Sequence, residues 1–167
     1  MQKTYSRAYV EITNICNMNC SFCHGHSRAP RKMSYEEFDK LTNDLMGVTQ
    51  YLYYHLMGEP LTHPELCDFI KLANSKGFKS AVTTNGTLLD KKVDVLTKYA
   101  DIIHKISVSL HAVEGNDIEH RLQIYMDSVI DAAKRYSELG VYFVMRLWNL
   151  DTNEKSGKKW QEKRLRI

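Results

Sequence analysis

The sequence has no long apolar run and very little proline. Its longest apolar stretches, such as residues 102–103 and 141–145, are a few residues each, and residues 1–10 lack the apolar centre of a signal peptide. A membrane-spanning helix needs about 20 apolar residues, so we expect no membrane partner and a cytoplasmic location. With 3 prolines, 8 glycines, 43% hydrophobic and 26% charged residues, the chain is neither collagen-like nor disordered. Its 167 residues correspond to one domain.

The sequence also has little excess of charge of one sign. The net charge is +3, from 23 Lys and Arg against 20 Asp and Glu, and the excess lies in residues 151–167, which hold six bases and three acids. We interpret this segment as a polar basic tail that follows a core domain at residues 1–150. Because the remaining body is neutral, it lacks the basic face of a nucleic-acid-binding domain, and we expect no nucleic-acid partner.

Cysteine is scarce, but three of the four cysteines lie close together. Cys16, Cys20 and Cys23 fall in the run CNMNCSFC, and Cys67 is far from them. An odd number of clustered thiols, in a chain expected to be cytosolic, argues against a disulfide framework. Thiolates gathered on a loop suit either zinc or an iron–sulfur cluster.

Zinc is one of these two alternatives. Zinc motifs usually begin with a tight pair of ligands and have a second pair well downstream. Here three cysteines are contiguous and no second pair follows, so His24, His26 or Cys67 would have to supply the fourth ligand. Such a site would belong to a non-catalytic, zinc-stabilised binding module.

Strand and helix patterns alternate along the whole chain. Segments rich in β-forming residues predict five strands, at residues 9–13, 50–56, 78–84, 105–110 and 141–147. Helical periodicity predicts four helices, which begin near residues 34, 64, 90 and 117 and end near residues 47, 77, 99 and 139. Ser34 and Glu37 form a capping box at the start of the first helix. The Tyr-Leu-Tyr-Tyr run at residues 51–54 predicts a strand covered on both faces.

This alternation predicts an α/β fold built from parallel β-α-β units. In such folds the ligand lies at the carboxyl ends of the strands. The unusual segments of this chain follow the predicted strands in order: the cysteine loop, MGEP at residues 57–60, TNG at residues 84–86, Ser109 with His111, and Arg146. We therefore expect all five segments to converge on one face.

These segments resemble the motifs of the radical S-adenosylmethionine (radical SAM) superfamily. The cysteine triplet has the three-then-two spacing typical of that family, with Phe22 as the aromatic residue before the third cysteine. Residues 57–60 are similar to its glycine-glycine-glutamate-proline turn, although Met57 replaces the first glycine. Residues 84–86 and 107–110 are similar to its third and fourth strand ends. The resemblance covers roughly residues 5–147.

The resemblance implies a partial (β/α) TIM-like barrel with about five of the six parallel β-α units of the family. It also implies a 4Fe-4S cluster and S-adenosyl-L-methionine (SAM) as cofactors. Cys16, Cys20 and Cys23 would bind three irons and leave the fourth iron to SAM. Reductive cleavage of SAM would then give a 5'-deoxyadenosyl radical that abstracts hydrogen from the substrate, with a flavodoxin or ferredoxin as the reductant.

The resemblance further implies contacts to SAM. The turn at Gly58 and Glu59 would hold the SAM ammonium, since a fixed carboxylate is a charge-assisted acceptor and glycine lets the backbone approach the ligand. The remaining expected SAM contacts are Phe22 near the adenine, Ser109 and Asn85 at the ribose or carboxylate, and Arg146 at the carboxylate or at an acidic substrate group. Ser109 and Asn85 also have an ordinary structural interpretation as strand-end and turn residues.

The chain departs from the family in length. It stops after the fifth predicted strand, so we expect the core domain at residues 1–150 to be incomplete at its C-terminal end. An inactive truncated remnant is therefore a further alternative to the enzyme. For the enzyme we expect a substrate that is either a peptide or a small molecule.

Overall fold

The computed structural model describes residues 4–23, 28–113 and 121–147. The strands are β1 Ala8–Val10, β2 Tyr51–Tyr54, β3 Lys79–Thr84, β4 Ile103–Ser109 and β5 Tyr142–Arg146. The helices are α1 Tyr35–Leu45, α2 Leu66–Ser75, α3 Leu89–Leu96 and α4 Leu122–Glu138. The predicted start of the fourth helix, His24 and His26, and the basic tail lie outside the described residues.

The five strands form one parallel sheet in the order β1-β2-β3-β4-β5. This order confirms the predicted α/β fold, since each strand joins its parallel neighbour through a crossover that contains a helix or a loop. One register row crosses the whole sheet: Tyr9 pairs with Tyr53, Tyr53 with Ala81, Ala81 with Lys105, and Lys105 with Tyr142. The carboxyl ends of the strands therefore share one edge.

The first helix begins at the predicted capping box. The Ser34 hydroxyl accepts a hydrogen bond from the backbone N–H of Glu37 at 3.2 Å, and the Glu37 carboxylate accepts one from the backbone N–H of Ser34 at 2.8 Å. Each bond satisfies an N–H that has no partner inside the helix. The helix then buries Phe38, whose ring stacks on Phe69 of α2 at 4.3 Å between centroids.

The hydrophobic core lies on one face of the sheet, between the strands and the helices. Each helix contributes to one continuous cluster of buried side chains, as do β1 to β4. The expectation that β2 is covered on both faces is wrong: Leu52 and Tyr54 are buried in this core, whereas Tyr51 and Tyr53 are half-buried on the other face. The reason is that the described helices pack on the Leu52 side. Among the described residues, no helix is long and apolar enough to cross a membrane.

Candidate functional site

A cavity lies at the carboxyl edge of the sheet, where the loops after β1, β2, β3 and β4 meet. It brings together eight of the nine residues predicted for the cluster and SAM: Cys16, Cys20, Phe22, Cys23, Gly58, Glu59, Asn85 and Ser109. The ninth residue, Arg146, does not line the cavity. The expectation that these loops converge is met for the first four strands.

The cysteine loop follows β1 and forms one wall of the cavity. Cys16 and Cys20 are half-buried and Cys23 is exposed, and the backbone N–H of Cys23 donates to the carbonyl of Cys20 at 3.0 Å. Burial raises the pKa of the Cys16 thiol above its usual value, and the nearby Glu59 and Cys23 raise it further, against hydrogen bonds from Met18 and Asn85 that lower it. A bound cation would therefore be needed to hold this group as a thiolate.

The cysteine loop supplies the thiol ligands that an iron–sulfur cluster requires. Three thiols on one short loop face a common cavity, and cluster irons take thiolate ligands. Within the described residues, no group of three or more His, Cys, Asp or Glu side chains is already drawn together to hold a metal ion. The residues fit a cluster by their chemistry and by their shared cavity.

Gly58 places the turn after β2 directly against the chain that precedes the cysteines. Its φ is +78°, and a Cβ at this position would lie 2.3 Å from the carbonyl oxygen of Thr13. The close approach that requires glycine is thus to the backbone of Thr13 and Asn14. We predicted that glycine is needed here so that the backbone can approach the ligand. The structure shows that glycine is needed because the turn contacts the backbone of residues 13 and 14.

Glu59 links three loops from a buried position, with 2% of its surface exposed. Its backbone N–H donates to the carbonyl of Ile15 at 2.8 Å. Its carboxylate accepts from the backbone N–H of Leu61 at 3.0 Å and of Asn85 at 2.7 Å. Burial raises the pKa of Glu59, while these hydrogen bonds and one with Thr84 lower it.

Asn85 holds the loop after β3 against the cysteine loop. Its side-chain N–H2 donates to Asn17 Oδ1 at 3.0 Å and lies 3.8 Å from Cys16 Sγ. Its Oδ1 accepts from the backbone N–H of Thr87 at 3.0 Å and from the Thr87 hydroxyl at 2.7 Å. Asn17 completes the network by donating to the Thr87 hydroxyl at 2.8 Å. Asn85 therefore acts as a turn residue, as its sequence position suggested. Its side-chain amide also lies beside Cys16, a candidate cluster ligand.

Helix α4 supports the same loop from behind. The Tyr125 hydroxyl donates to the carbonyl of Asn85 at 2.9 Å. Gly86, with φ +82°, lies so close to α4 and β4 that a Cβ would come within 2.7 Å of Val108 Cγ1 and 2.9 Å of the Tyr125 hydroxyl oxygen. The TNG segment thus needs glycine for packing as well as for its backbone angle.

The remaining predicted residues, Phe22, Ser109 and Arg146, lie on or beside the loop after β4. The Phe22 ring lies 5.2 Å from the His111 ring, at 60° between planes, so the cysteine loop packs on this loop. Ser109 precedes a short 3₁₀ turn and makes no side-chain capping hydrogen bond to it. Arg146 is exposed at the end of β5. Burial lowers the pKa of His55, and the charge of Arg146 lowers it further. Burial also lowers the pKa of His111, against a hydrogen bond with the Arg146 backbone that raises it, while the Arg146 charge lowers it by a smaller amount.

The structure also adds residues that the sequence patterns did not indicate. His55 lines the cavity, and Asn17 and Thr87 hold its wall. An Asn followed two residues later by Thr is a turn pattern that could have identified Thr87. Cys67, a possible zinc ligand, is half-buried on α2, where it packs against the core, and it does not line the cavity.

Comparisons with known proteins agree with this geometry. The sequence profile of the radical SAM superfamily matches residues 10–155. The tungsten-containing aldehyde ferredoxin oxidoreductase cofactor-modifying protein of Pyrococcus furiosus is 33% identical over 85 residues, which are 48% of this chain and 24% of the relative. GTP 3',8-cyclase of Chlorobaculum tepidum is 30% identical over 101 residues, which are 58% of this chain and 30% of the relative. The chain spans well under two thirds of the length of these relatives.

A solved structure shares the fold. BtrN in complex with AdoMet and 2-DOIA aligns with a TM-score of 0.66 and 22% identity, over 87% of this chain and 58% of that chain. The likeness confirms that the five parallel β-α units form a partial barrel of this type.

Proposed function

The chain belongs to the radical SAM superfamily, and from this premise we propose that it is the core of a radical SAM enzyme that holds a 4Fe-4S cluster through Cys16, Cys20 and Cys23. One observation carries the proposal: the cysteine loop, the Gly-Glu-Pro turn and the TNG loop, which come from three different strands, line a single cavity. When bound, the cluster supplies one electron that breaks a carbon–sulfur bond of SAM, which gives methionine and the 5'-deoxyadenosyl radical that abstracts hydrogen from the substrate.

The three cysteines supply thiolate ligands from a loop that is held in place by its neighbours. Glu59 bonds to Ile15, directly before Cys16, and the Asn85 amide lies against Cys16 Sγ. These contacts fix the backbone before the first cysteine. Cys23 is exposed, so its side chain can turn toward the cluster at small cost.

The turn at Gly58 and Glu59 is the proposed seat of the SAM ammonium. A carboxylate has about four lone-pair sites, so the two backbone N–H bonds and the Thr84 bond that Glu59 accepts leave capacity for one further donor. A bound ammonium would favour the charged carboxylate, which burial disfavours. The structure thus supports two roles for Glu59, as a link between loops and as an acceptor for SAM.

The remaining residues would contact other parts of SAM or the substrate. Ser109 has a hydroxyl that does not cap the following turn, so it can donate to the ribose or the carboxylate of SAM. Phe22 offers a ring beside His111 for the adenine. Asn85 is largely occupied by Thr87 and Asn17, which favours a supporting role at the ribose. Arg146 is near enough to the cavity to affect His111, and it would pair with a carboxylate of SAM or of the substrate.

The test is the metal content and the reactivity of the protein purified and reconstituted without oxygen. We expect about four irons and four sulfides per chain, a broad visible absorbance, and reductive formation of 5'-deoxyadenosine from SAM with dithionite or with a flavodoxin or ferredoxin. One zinc and no iron would contradict the proposal and support the zinc-stabilised binding module. A cluster that assembles but never cleaves SAM would indicate an inactive remnant.

A further inference from the structure

The cysteine loop is closed at its base by a short antiparallel pairing. Residues 12–14, just after β1, lie beside residues 29–33, which follow the cysteines. Thr13 and Lys32 form an antiparallel bridge, with backbone hydrogen bonds of 2.8 and 3.2 Å on either side of it. The chain therefore leaves β1 and returns to the same place, with all three cysteines on the loop between the two segments.

A proline lies at the end of this pairing that is next to the cysteines. Pro30 has no backbone N–H, so it cannot bond to the opposite segment as a strand residue would. The polar backbone groups on either side of it are the carbonyl of Ala29 and the N–H of Arg31. A side chain that closes this end of the loop must therefore offer both a donor and an acceptor.

Asn14 supplies both from its side-chain amide. Its Nδ2 donates to the carbonyl of Ala29 at 2.8 Å, and its Oδ1 accepts from the N–H of Arg31 at 2.7 Å. The residue is buried, with 6% of its surface exposed. Ionised aspartate has nearly the same shape but no donor, and leucine has neither group, so this pair of bonds is specific to asparagine.

An ion pair also joins the two segments, but at the surface. Arg28 bonds to the Glu11 carboxylate at 2.8 and 3.0 Å, and 60% of the Arg28 side chain is exposed. Exposed ion pairs contribute little to stability, because water weakens them and two long side chains must be ordered. Buried hydrogen bonds contribute more, because their loss leaves polar groups without a partner. The amide of Asn14 is therefore the stronger of the two closures.

The two sides of the cysteine loop are held differently. The side that carries the first cysteine is bonded to the loops after β2 and β3 through Ile15 and Asn17. The second and third cysteines come later, and the chain that follows them returns to the base at residues 28–31. Asn14 ties this returning segment to the anchored side. The position of the later cysteines relative to the first thus depends on Asn14.

We propose that Asn14 is a positioning residue for the cluster. Its side-chain amide closes the loop, so the three thiols are gathered before the metal binds and less ordering is required at that moment. Asn14 does not line the cavity, so it acts through the cysteines and not by contact with a ligand. This inference rests on the proposed function, since it names what holds the cluster ligands of that site in place.

The first test measures how fast a chelator removes iron from the reconstituted full-length chain without oxygen. Asn14→Leu keeps the size of the side chain and removes both hydrogen bonds, so we expect iron to leave about tenfold faster than from the wild type. Asn14→Asp keeps the acceptor for Arg31 and loses the donor for Ala29, and it should change the rate in the same direction. Circular dichroism establishes that each variant is folded, and Asn14→Asp serves if Asn14→Leu is not.

Two control variants separate positioning from a general loss of stability. Val129→Ala opens a space in the core under α4, which packs on α3 and β5 at the other end of the sheet from β1. Urea unfolding shows how far it lowers stability, and its rate of iron loss should stay within about twofold of the wild type, since the site is distant. Arg28→Gln removes the exposed ion pair and should likewise stay within about twofold.

The second test does not depend on an iron–sulfur cluster. The full-length chain is titrated with Cd²⁺ before reconstitution, at constant pH, and the ultraviolet absorbance of cadmium–thiolate bonds is followed. Cadmium is a soft cation that takes thiolate ligands whichever metal the site holds. Cys20→Ala shows which absorbance belongs to the triplet. We expect Asn14→Leu to bind Cd²⁺ about tenfold more weakly than the wild type or Val129→Ala, because its loop must close on binding.

The outcomes separate this inference from the proposed function. An Asn14→Leu variant that matches the wild type in iron loss or in Cd²⁺ affinity overturns the inference, and so do equal effects of Asn14→Leu and either control. A wild type that cleaves SAM, together with an Asn14→Leu variant that keeps its iron equally long, overturns the inference alone. A wild type that forms no cluster, yet binds Cd²⁺ about tenfold more tightly than Asn14→Leu, overturns the proposed function alone.

Discussion

The backbone N–H of Asn85 donates to Glu59 Oε2 at 2.7 Å, and this bond joins the loop after β2 to the loop after β3. The N–H of Glu59 in turn bonds to Ile15, the residue before the first cysteine. One buried residue thus connects the three segments that carry the family motifs. Substitutions of Glu59 should therefore affect the cysteine loop as well as the turn that contains Glu59.

Cys20→Ala should abolish the cluster. Two remaining thiolates cannot hold three irons of a 4Fe-4S cluster, so we expect iron content and visible absorbance to fall close to zero after anaerobic reconstitution. Cys67→Ala is the matched control, because Cys67 lies on α2 away from the cavity. Equal iron content in the two variants would contradict the assignment of the triplet.

Gly58→Ala should destabilise the protein more than Gly77→Ala. Both glycines have positive φ, but a Cβ at Gly58 meets the Thr13 carbonyl at 2.3 Å, while a Cβ at Gly77 meets nothing within 4 Å. We expect a loss of about 1 kcal/mol at Gly77 from backbone strain and roughly 2–5 kcal/mol at Gly58 from strain plus the clash. Urea unfolding measures the difference, and equal losses would show that the backbone contact is unimportant.

Glu59→Gln should weaken both folding and SAM binding. A glutamine has one acceptor oxygen, so one of the buried N–H groups of Leu61 and Asn85 loses its partner, at a cost of about 1–3 kcal/mol. The substitution also removes the negative charge proposed to face the SAM ammonium. Unfolding and SAM titrations of the reconstituted protein check both effects.

Glu138→Gln, at an exposed position near the end of α4, is the control for Glu59→Gln. If the Glu59→Gln variant is as stable as the wild type and binds SAM normally, Glu59 has neither of the two proposed roles. A less stable variant with normal SAM affinity would leave only the link between the loops.

His63 should make stability fall at mildly acidic pH. Its Nε2 lies 3.0 Å from the carbonyl of Met33 and its Nδ1 accepts from the N–H of Glu65 at 3.1 Å, so the contacts require the neutral ring. Burial lowers the pKa of His63 in the folded protein below its ordinary value of 6.5. The unfolded chain therefore binds a proton more readily, and this contribution, present above pH 6.5, is lost as the pH falls toward the folded pKa.

The measurement for His63 is the free energy of unfolding of the wild type and of His63→Leu across that pH range. At neutral pH the free energy of unfolding of the wild type should exceed that of His63→Leu by roughly 1–3 kcal/mol, because of two buried hydrogen bonds. This difference should shrink as the pH falls. Val129→Ala is a non-titrating core control, and its difference from the wild type should stay constant. A His63→Leu difference that is equally constant would show that the ring does not titrate.

Local sequence patterns were sufficient for most of the fold. The capping box at Ser34 depends on residues three apart, and the strand and helix periods depend on neighbours within a few positions, so both could be read from the chain. The parallel order followed from the alternation of these elements. The spacing of the cysteines and the Gly-Glu-Pro turn indicated the family, and the match to residues 10–155 confirmed it.

Tertiary structure alone determined which atoms these residues meet. Asn85 and Glu59 are 26 residues apart, and Asn85 and Cys16 are 69 apart, so no local pattern could assign the buried carboxylate or the amide to their partners. The composition of residues 51–54 does not show whether helices cover one face of the strand or both. The placement of the helices on one side of the sheet leaves Tyr51 and Tyr53 half-buried. The cations beside these rings likewise depend on strand register, because the sheet brings Arg7 and Lys105 to the ring of Tyr53 and Lys79 to the ring of Tyr51.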